Sequence, residues 1–264
     1  MPDLMINNRA YKVAGILFDK DGTLLDFIAM WGCWSESVFS ELEQQLKRRG
    51  ITLQPDRIAT LWGTKHDINN RVIDYDRNGP LAMGTMQDLY AVVAWQLYSE
   101  GLSWAEAMEL VQHCKKHADI ELERLRPARP LPGSIDFLKS CKEHGIKLGV
   151  VTADETEAAN MHLEWLGIRA YFDVVIGNDL VERGKPFPDM LELACRELAI
   201  DCSEAAIIGD TNGDMRMGLA AGAAVTVGIA DTAEGGSTHQ LLPNANEVIS
   251  SYSQLSMRRQ AHED

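Results

Sequence analysis

The chain has 264 residues, is 45% hydrophobic and carries a formal net charge of −14 at pH 7. That length buries a full core in one large domain or two smaller ones. The acidic balance excludes a nucleic-acid-binding surface, since phosphate backbones select basic patches, and no stretch approaches the ~18 uninterrupted apolar residues of a membrane span. The opening MPDLMINNRAYK lacks the apolar stretch of a signal peptide, so a cytoplasmic protein is expected. Five cysteines (Cys33, Cys114, Cys141, Cys195, Cys202), odd in number and without a CxxC pair, argue against a disulfide framework and a zinc site. Cys141 and Cys195 lie in helical patterns and read as buried small hydrophobes.

In chain order, the first apolar run is VAGILFD (13–19). Similar runs recur at 146–152, 173–177, 205–210 and 224–228, bounded by Gly, Asp or Thr as strands buried on both faces are. Between the first run and the rest, residues 27–126 show helical spacing. Trp31, Trp34, Val38, Leu42 and Leu46 form one stripe, and Trp104, Met108, Val111, Cys114, Ala118, Leu122 and Leu125 another. This stretch contains no convincing strand and is expected to be an all-helical insertion. RPARPLPG (126–133) reads as its stiff return hinge.

Further on, Ser134 is placed to cap a helix ending at Gly145. Asp154 with Glu157 makes a capping-box-like start, and Pro188 suits the first turn of a helix through about Leu198. Ser250 to Asp264 reads as a helix end and a polar tail. Alternating strands and helices predict an α/β fold: a Rossmann-like parallel-sheet core over 1–26 and 127–264, with a helical cap domain over 27–126. Parallel sheets bind ligands beyond the carboxyl ends of their strands. An insertion directly after the first strand therefore reads as a lid.

Four segments at such strand ends carry chemistry. The first is Asp19-Lys20-Asp21-Gly22-Thr23. Two carboxylates two residues apart at the end of a buried strand call for a cation, and Mg²⁺ suits a few hard oxygen ligands. Asp19 then serves as nucleophile and ligand, Asp21 as general acid and base, and Gly22 turns the backbone to offer amides to phosphate. The second segment ends in Val-Val-Thr-Ala-Asp, where the Thr152 hydroxyl and the backbone at Ala153 can grip a phosphate oxygen. The third, GKPFPD (184–189), fixes Lys185 between a glycine and a proline and supplies local positive charge. The fourth, IIGDTNGD (207–214), brings Asp210 to complete a metal site, with Asp214 one helical turn on as a secondary ligand or a partner for Lys185.

The order Asp-x-Asp, Thr, Lys, Gly-Asp-x-x-x-Asp resembles the haloacid dehalogenase superfamily over nearly the whole chain. It looks most like the phosphoglycolate phosphatase-like and β-phosphoglucomutase-like branch, which carries a helical cap after the first motif. The resemblance implies Asp19 as nucleophile, Asp21 as acid/base, and Thr152 and Lys185 as phosphate binders. It further implies Mg²⁺ on Asp19, Asp210 and the backbone carbonyl of Asp21. The expected reaction is Mg²⁺-dependent hydrolysis of a small phosphorylated metabolite through an aspartyl-phosphate. A phosphomutase is the near alternative and an idle binding protein the remote one. Asp21 disfavours dehalogenases and phosphonate-cleaving members, which lack it. In the insertion, Leu61 to Asp67 resembles the branch's substrate-selecting loop, with Lys65 and His66 reaching the substrate, and Gly79 to Thr85 reads as a loop at the same entrance. His113 and His117 are spaced i, i+4, which more often marks a solvated face than a metal site. Oligomeric state and the particular substrate are left open.

Overall fold

The computed structural model describes residues 1–51, 61–230 and 242–259. The chain divides into two compact units: Met1–Asp26 with Pro130–Asp264, and Phe27–Arg129.

The first unit opens with a hairpin, β1 (Asp3–Ile6) and β2 (Arg9–Lys12). Its turn is Asn7-Asn8, both at positive φ (47° and 69°), the backbone a two-residue hairpin needs and asparagine tolerates. Strand β3 (Gly15–Phe18) follows, wholly buried.

The second unit begins with a π-helical turn (Ile28–Gly32) running into α1 (Cys33–Arg48). It continues through β4 (Thr64–His66), β5 (Val72–Tyr75), α2 (Pro80–Met83), α3 (Met86–Ser99) and α4 (Trp104–Leu125). Helices α3 and α4 each start on a capping box, Thr85 with Asp88 and Ser103 with Glu106. Trp34, Trp62 and Phe39 pack face to face and tilted in its core.

The chain then returns to the first unit through α5 (Ser134–Glu143), β6 (Lys147–Val151), α6 (Thr156–Trp165), β7 (Val174–Ile176) and α7 (Asp189–Leu198). It ends with β8 (Ala205–Gly209), α8 (Asn212–Ala221), β9 (Val225–Ile229), β10 (Glu247–Ile249) and β11 (Leu255–Arg258). The six-stranded sheet has the order β10-β9-β8-β3-β6-β7, every pair parallel. Alternate residues of β3 face opposite layers. Ile16 and Phe18 pack with Phe137, Leu138 and Leu163, whereas Leu17 packs with Leu191, Leu198 and Met217. Helices thus cover both faces, and β3 lies inside the sheet with β8 and β6 as neighbours.

Five expectations need correction. The insertion is not all helical: β4 and β5 pair antiparallel. Thr64, Val72 and Tyr75 point inward while Lys65 and Ile73 point out, an alternation too short to stand out among helical stripes. The Asp67 carboxylate closes the turn by accepting from the amides of Asn69 and Arg71. The Gly79–Thr85 segment likewise contains the helical turn α2.

Ser134 is the first helical residue of α5, after Gly133, and its hydroxyl donates to the Leu131 carbonyl. Asp154 does not cap α6; Glu155 precedes that helix, and the Asp154 side chain turns into the interior. Residues 255–258 are not tail but strand, pairing with β1. Leu255 and Tyr252 are buried there, which two apolar residues in a polar stretch did not announce. Residues 260–264 of the expected tail lie outside the described residues. Among the described residues no helix is long and apolar enough to cross a membrane.

Candidate active site

Strand β3 runs out at Phe18, and the Asp19 amide still donates to the Ile208 carbonyl of β8 at 2.8 Å, which fixes where its side chain departs. The chain then turns tightly, with the Gly22 amide donating to Leu25 and the Leu24 amide to Lys20. Gly22 sits at φ +78°, and a Cβ there would collide with the Asp210 carboxylate. Thr23 donates its hydroxyl to Asp210 Oδ1 at 3.3 Å, and the buried Tyr252 hydroxyl donates to the Thr23 carbonyl at 2.9 Å. The loop is therefore held from both sides.

The neighbouring strands deliver the other groups. At the end of β6, Thr152 is buried and its hydroxyl accepts from the Asp154 amide at 3.2 Å, with half-buried Ala153 between them. Lys185, on the segment before α7, brings Nζ to 2.5 Å from Asp19 Oδ1 and 2.6 Å from Asp214 Oδ1. At the end of β8, Asp210 is followed by Thr211, which caps α8 in a capping box with Asp214. The Thr211 hydroxyl donates to Asp214 Oδ2 at 2.5 Å. Gly209 permits this approach, because a side chain there would strike the Asp214 carboxylate.

Asp19, Asp210 and Asp214 are all buried, and each offers a carboxylate oxygen such that the three lie within 4.8 Å of one another. Burial drives the Asp19 carboxyl up to about 7; Lys185 pulls it down, and Asp214 and Asp21 push it further up. Asp210 is raised well above the carboxylate range by burial and then by Asp19 and Asp214. Lys185 is itself raised, because Asp19 and Asp214 outweigh its burial. Three carboxylates against one ammonium leave an excess of negative charge in low dielectric. Hard oxygen donors so gathered fit a small divalent cation, which would relieve that repulsion.

The structure thus brings Asp19, Lys185, Asp210 and Asp214 into one cluster, with Gly22 against Asp210 and Asp21 two residues from Asp19. It ties Lys65 and His66 into the β4–β5 hairpin of the other unit. Lys65 bonds Asp74 at 2.7 Å, and His66 bonds the Thr64 hydroxyl and the Asn70 carbonyl. His113 meets the Glu41 carboxylate at 3.1 Å. Sequence reasoning passed over Lys20, His162 and the tertiary role of Asp154. A charged residue within a buried strand end was the only local signal for Lys20.

Acidic residues at the ends of two adjacent parallel strands, with a half-buried lysine paired to one of them, place the site at the carboxyl edge of an α/β sheet. Residues 13–222 match the family described as haloacid dehalogenase-like hydrolase, and the chain belongs to that family. It is 28% identical over 222 residues to the pyrophosphatase PpaX of Listeria monocytogenes, covering 83% of this chain and 84% of that one. It is 27% identical over 209 residues to a phosphoglycolate phosphatase of Aquifex aeolicus, covering 78% and 80%. The fold also matches the crystal structure of a β-phosphoglucomutase from Clostridium difficile, with TM-score 0.61 and 19% identity over 92% of both chains.

Proposed function

We propose that this protein is a Mg²⁺-dependent phosphatase that hydrolyses a small phosphorylated metabolite by way of an aspartyl-phosphate on Asp19. The observation that carries the reading is the Asp19 carboxylate at the end of an interior strand, 2.5 Å from the Lys185 ammonium and grouped with Asp210 and Asp214. Relatives named as a pyrophosphatase and a phosphoglycolate phosphatase support the choice of phosphate as the group attacked.

Asp19 attacks phosphorus in line. Asp21 gives a proton to the leaving oxygen and later takes one from water, as a carboxylate flanking the nucleophile can. Lys185, the Thr152 hydroxyl and the amides near Ala153 and Gly22 hold the phosphoryl oxygens and offset the charge that spreads over them. Mg²⁺, held by Asp19, Asp210 and the Asp21 carbonyl, would supply further positive charge to those oxygens. Asp214 keeps Lys185 pointed at Asp19.

The test is phosphate release from a panel containing phosphoglycolate, sugar phosphates, nucleotides, glycerol 3-phosphate, pyrophosphate and p-nitrophenyl phosphate, with and without Mg²⁺. Magnesium-dependent release that vanishes in a folded Asp19→Asn variant supports the reading. Retained turnover in that variant refutes the nucleophile. Conversion of a sugar phosphate to its isomer without net phosphate release turns the assignment to a mutase.

A further inference from the structure

The strand-end loop carries a second lysine that the chemistry above does not use. Lys20 stands between Asp19 and Asp21 in sequence and exposes none of its surface. Its Nζ lies 2.7 Å from Oδ1 and 2.6 Å from Oδ2 of Asp21, so it straddles the whole carboxylate. The same Nζ is 3.2 Å from His162 Nδ1 and 3.4 Å from Asp154 Oδ2. His162 Nδ1 is in turn 3.4 Å from Asp154 Oδ2, and its ring lies against Trp165 with centroids 5.1 Å apart. An ammonium has three N–H donors, and here it has partners in three directions.

The charge states fit this arrangement. The Asp21 and Asp154 carboxylates face the Lys20 ammonium and offset the cost of burying its charge. Burial would protonate Asp154, but Lys20 and then His162 hold its carboxyl down at about 2. Burial and then Lys20 lower His162, leaving a neutral imidazole that accepts from the ammonium. The result is a charged group gathered in the interior, not a surface lysine that happens to pass a carboxylate. Its members come from the β3 loop, the turn after β6, and α6.

We propose that Lys20, braced by Asp154 and His162, is a positioning residue that sets the direction of the Asp21 carboxylate for proton transfer to the leaving oxygen. This rests on the acid/base role given to Asp21 above. A short aspartate side chain turns about two single bonds, and proton transfer requires the two heavy atoms to come within about 2.6–3.2 Å. An ammonium touching both oxygens removes that freedom before substrate arrives. The consequence is selective: positioning matters most where the leaving group needs a proton. An alkoxide needs one, whereas p-nitrophenolate leaves with little help.

The experiment compares kcat/KM for p-nitrophenyl phosphate and for the better of phosphoglycolate and glycerol 3-phosphate, in wild type and Lys20→Met with Mg²⁺ present. The ratio kcat/KM reports the step up to departure of the leaving group. Lys20→Met is expected to lose roughly 100-fold on the alkyl phosphate, the lower end of acid–base contributions, and less than about 5-fold on the aryl one. Should Lys20→Met fail to fold, Lys20→Met with Asp154→Asn removes both buried charges together, and His162→Gln loosens the brace alone. Either is expected to show the same bias toward the alkyl substrate. Equal losses on both substrates, or no loss on either, would overturn the proposal while leaving the phosphatase reading intact. Wild-type activity confined to the aryl ester would overturn it too, since no proton delivery would be there to direct. Absence of activity on every phosphate of the panel would take down the phosphatase reading and this proposal with it.

Discussion

Lys185 is half-buried and Lys20 fully buried, both are ion-paired, and yet the carboxylates around them are displaced in opposite directions. Around Lys185, Asp19 rises to about 7, and Asp210 rises well above its usual value, burial leading in each case. Around Lys20, Asp154 is also buried but sits at about 2, because the ammonium and His162 overcome its burial. The difference is one of charge balance. The Lys185 cluster holds three buried carboxylates within reach of one another, and a single ammonium does not neutralise them. In the Lys20 cluster the ammonium lies between the Asp21 and Asp154 carboxylates, so opposite charges face each other. One region keeps an excess of buried negative charge that a cation would relieve; in the other, carboxylates and ammonium offset each other.

The largest test of this contrast is Lys185→Met. It removes a charge held against Asp19, so kcat/KM should fall by about 10³-fold, near 4 kcal/mol, on alkyl and aryl phosphates alike. If both lysines gave the same leaving-group pattern, the division of labour between them would disappear. Next comes metal. Magnesium at about 100 times its dissociation constant should stabilise the folded protein by about 2.7 kcal/mol, read as a rise in the thermal midpoint. Asp210→Asn should abolish the rise and Asp154→Asn should preserve it. A shift lost in both variants would mean that the clusters are not separate.

A smaller effect follows from pH in chelator-treated protein. The Asp19 carboxyl, facing Lys185, Asp214, Asp210 and Asp21, is raised above its unfolded value, so the native state binds more protons between about pH 4 and 7. Stability should therefore fall as pH rises through that interval, on the order of 1 kcal/mol between pH 6 and 7, and magnesium should flatten the fall. Asp154, held low, has the opposite sign: its contribution is present above about pH 4 and is lost as pH drops toward 2. The smallest expected effect is Lys65→Ala, which breaks an exposed pair with Asp74 and should change stability by less than about 0.5 kcal/mol.

What the sequence disclosed divides along the same line. Asp19, Thr152 and Asp210 were legible because buried parallel strands read as unbroken apolar runs, and each of these residues marks where a run stops. Lys185 was legible because a glycine and a proline bracket it. The Lys20 clamp was not, since its meaning depends on His162, 142 residues away, and local reasoning gave Asp154 to a helix cap. Strands β1, β2 and β11 were missed for a related reason. They are short and half polar, and β11 is completed only by pairing with β1 across the length of the chain. The Asn7-Asn8 turn was the one local sign of that sheet.

The position of β3 inside the sheet has a consequence for synthesis. Its neighbours are β6, ending at Val151, and β8, ending at Gly209, so no partner exists when β3 leaves the ribosome. The Phe27–Arg129 unit, compact in itself, emerges in the meantime. Because non-local pairing must wait for loop closure, assembly of the sheet is the slow step and β3 is the segment left exposed. Its hydrophobic residues Ile16, Leu17 and Phe18, buried in the finished sheet, stay uncovered until those partners arrive. The strand that presents Asp19 is among the first made and among the last to find its place.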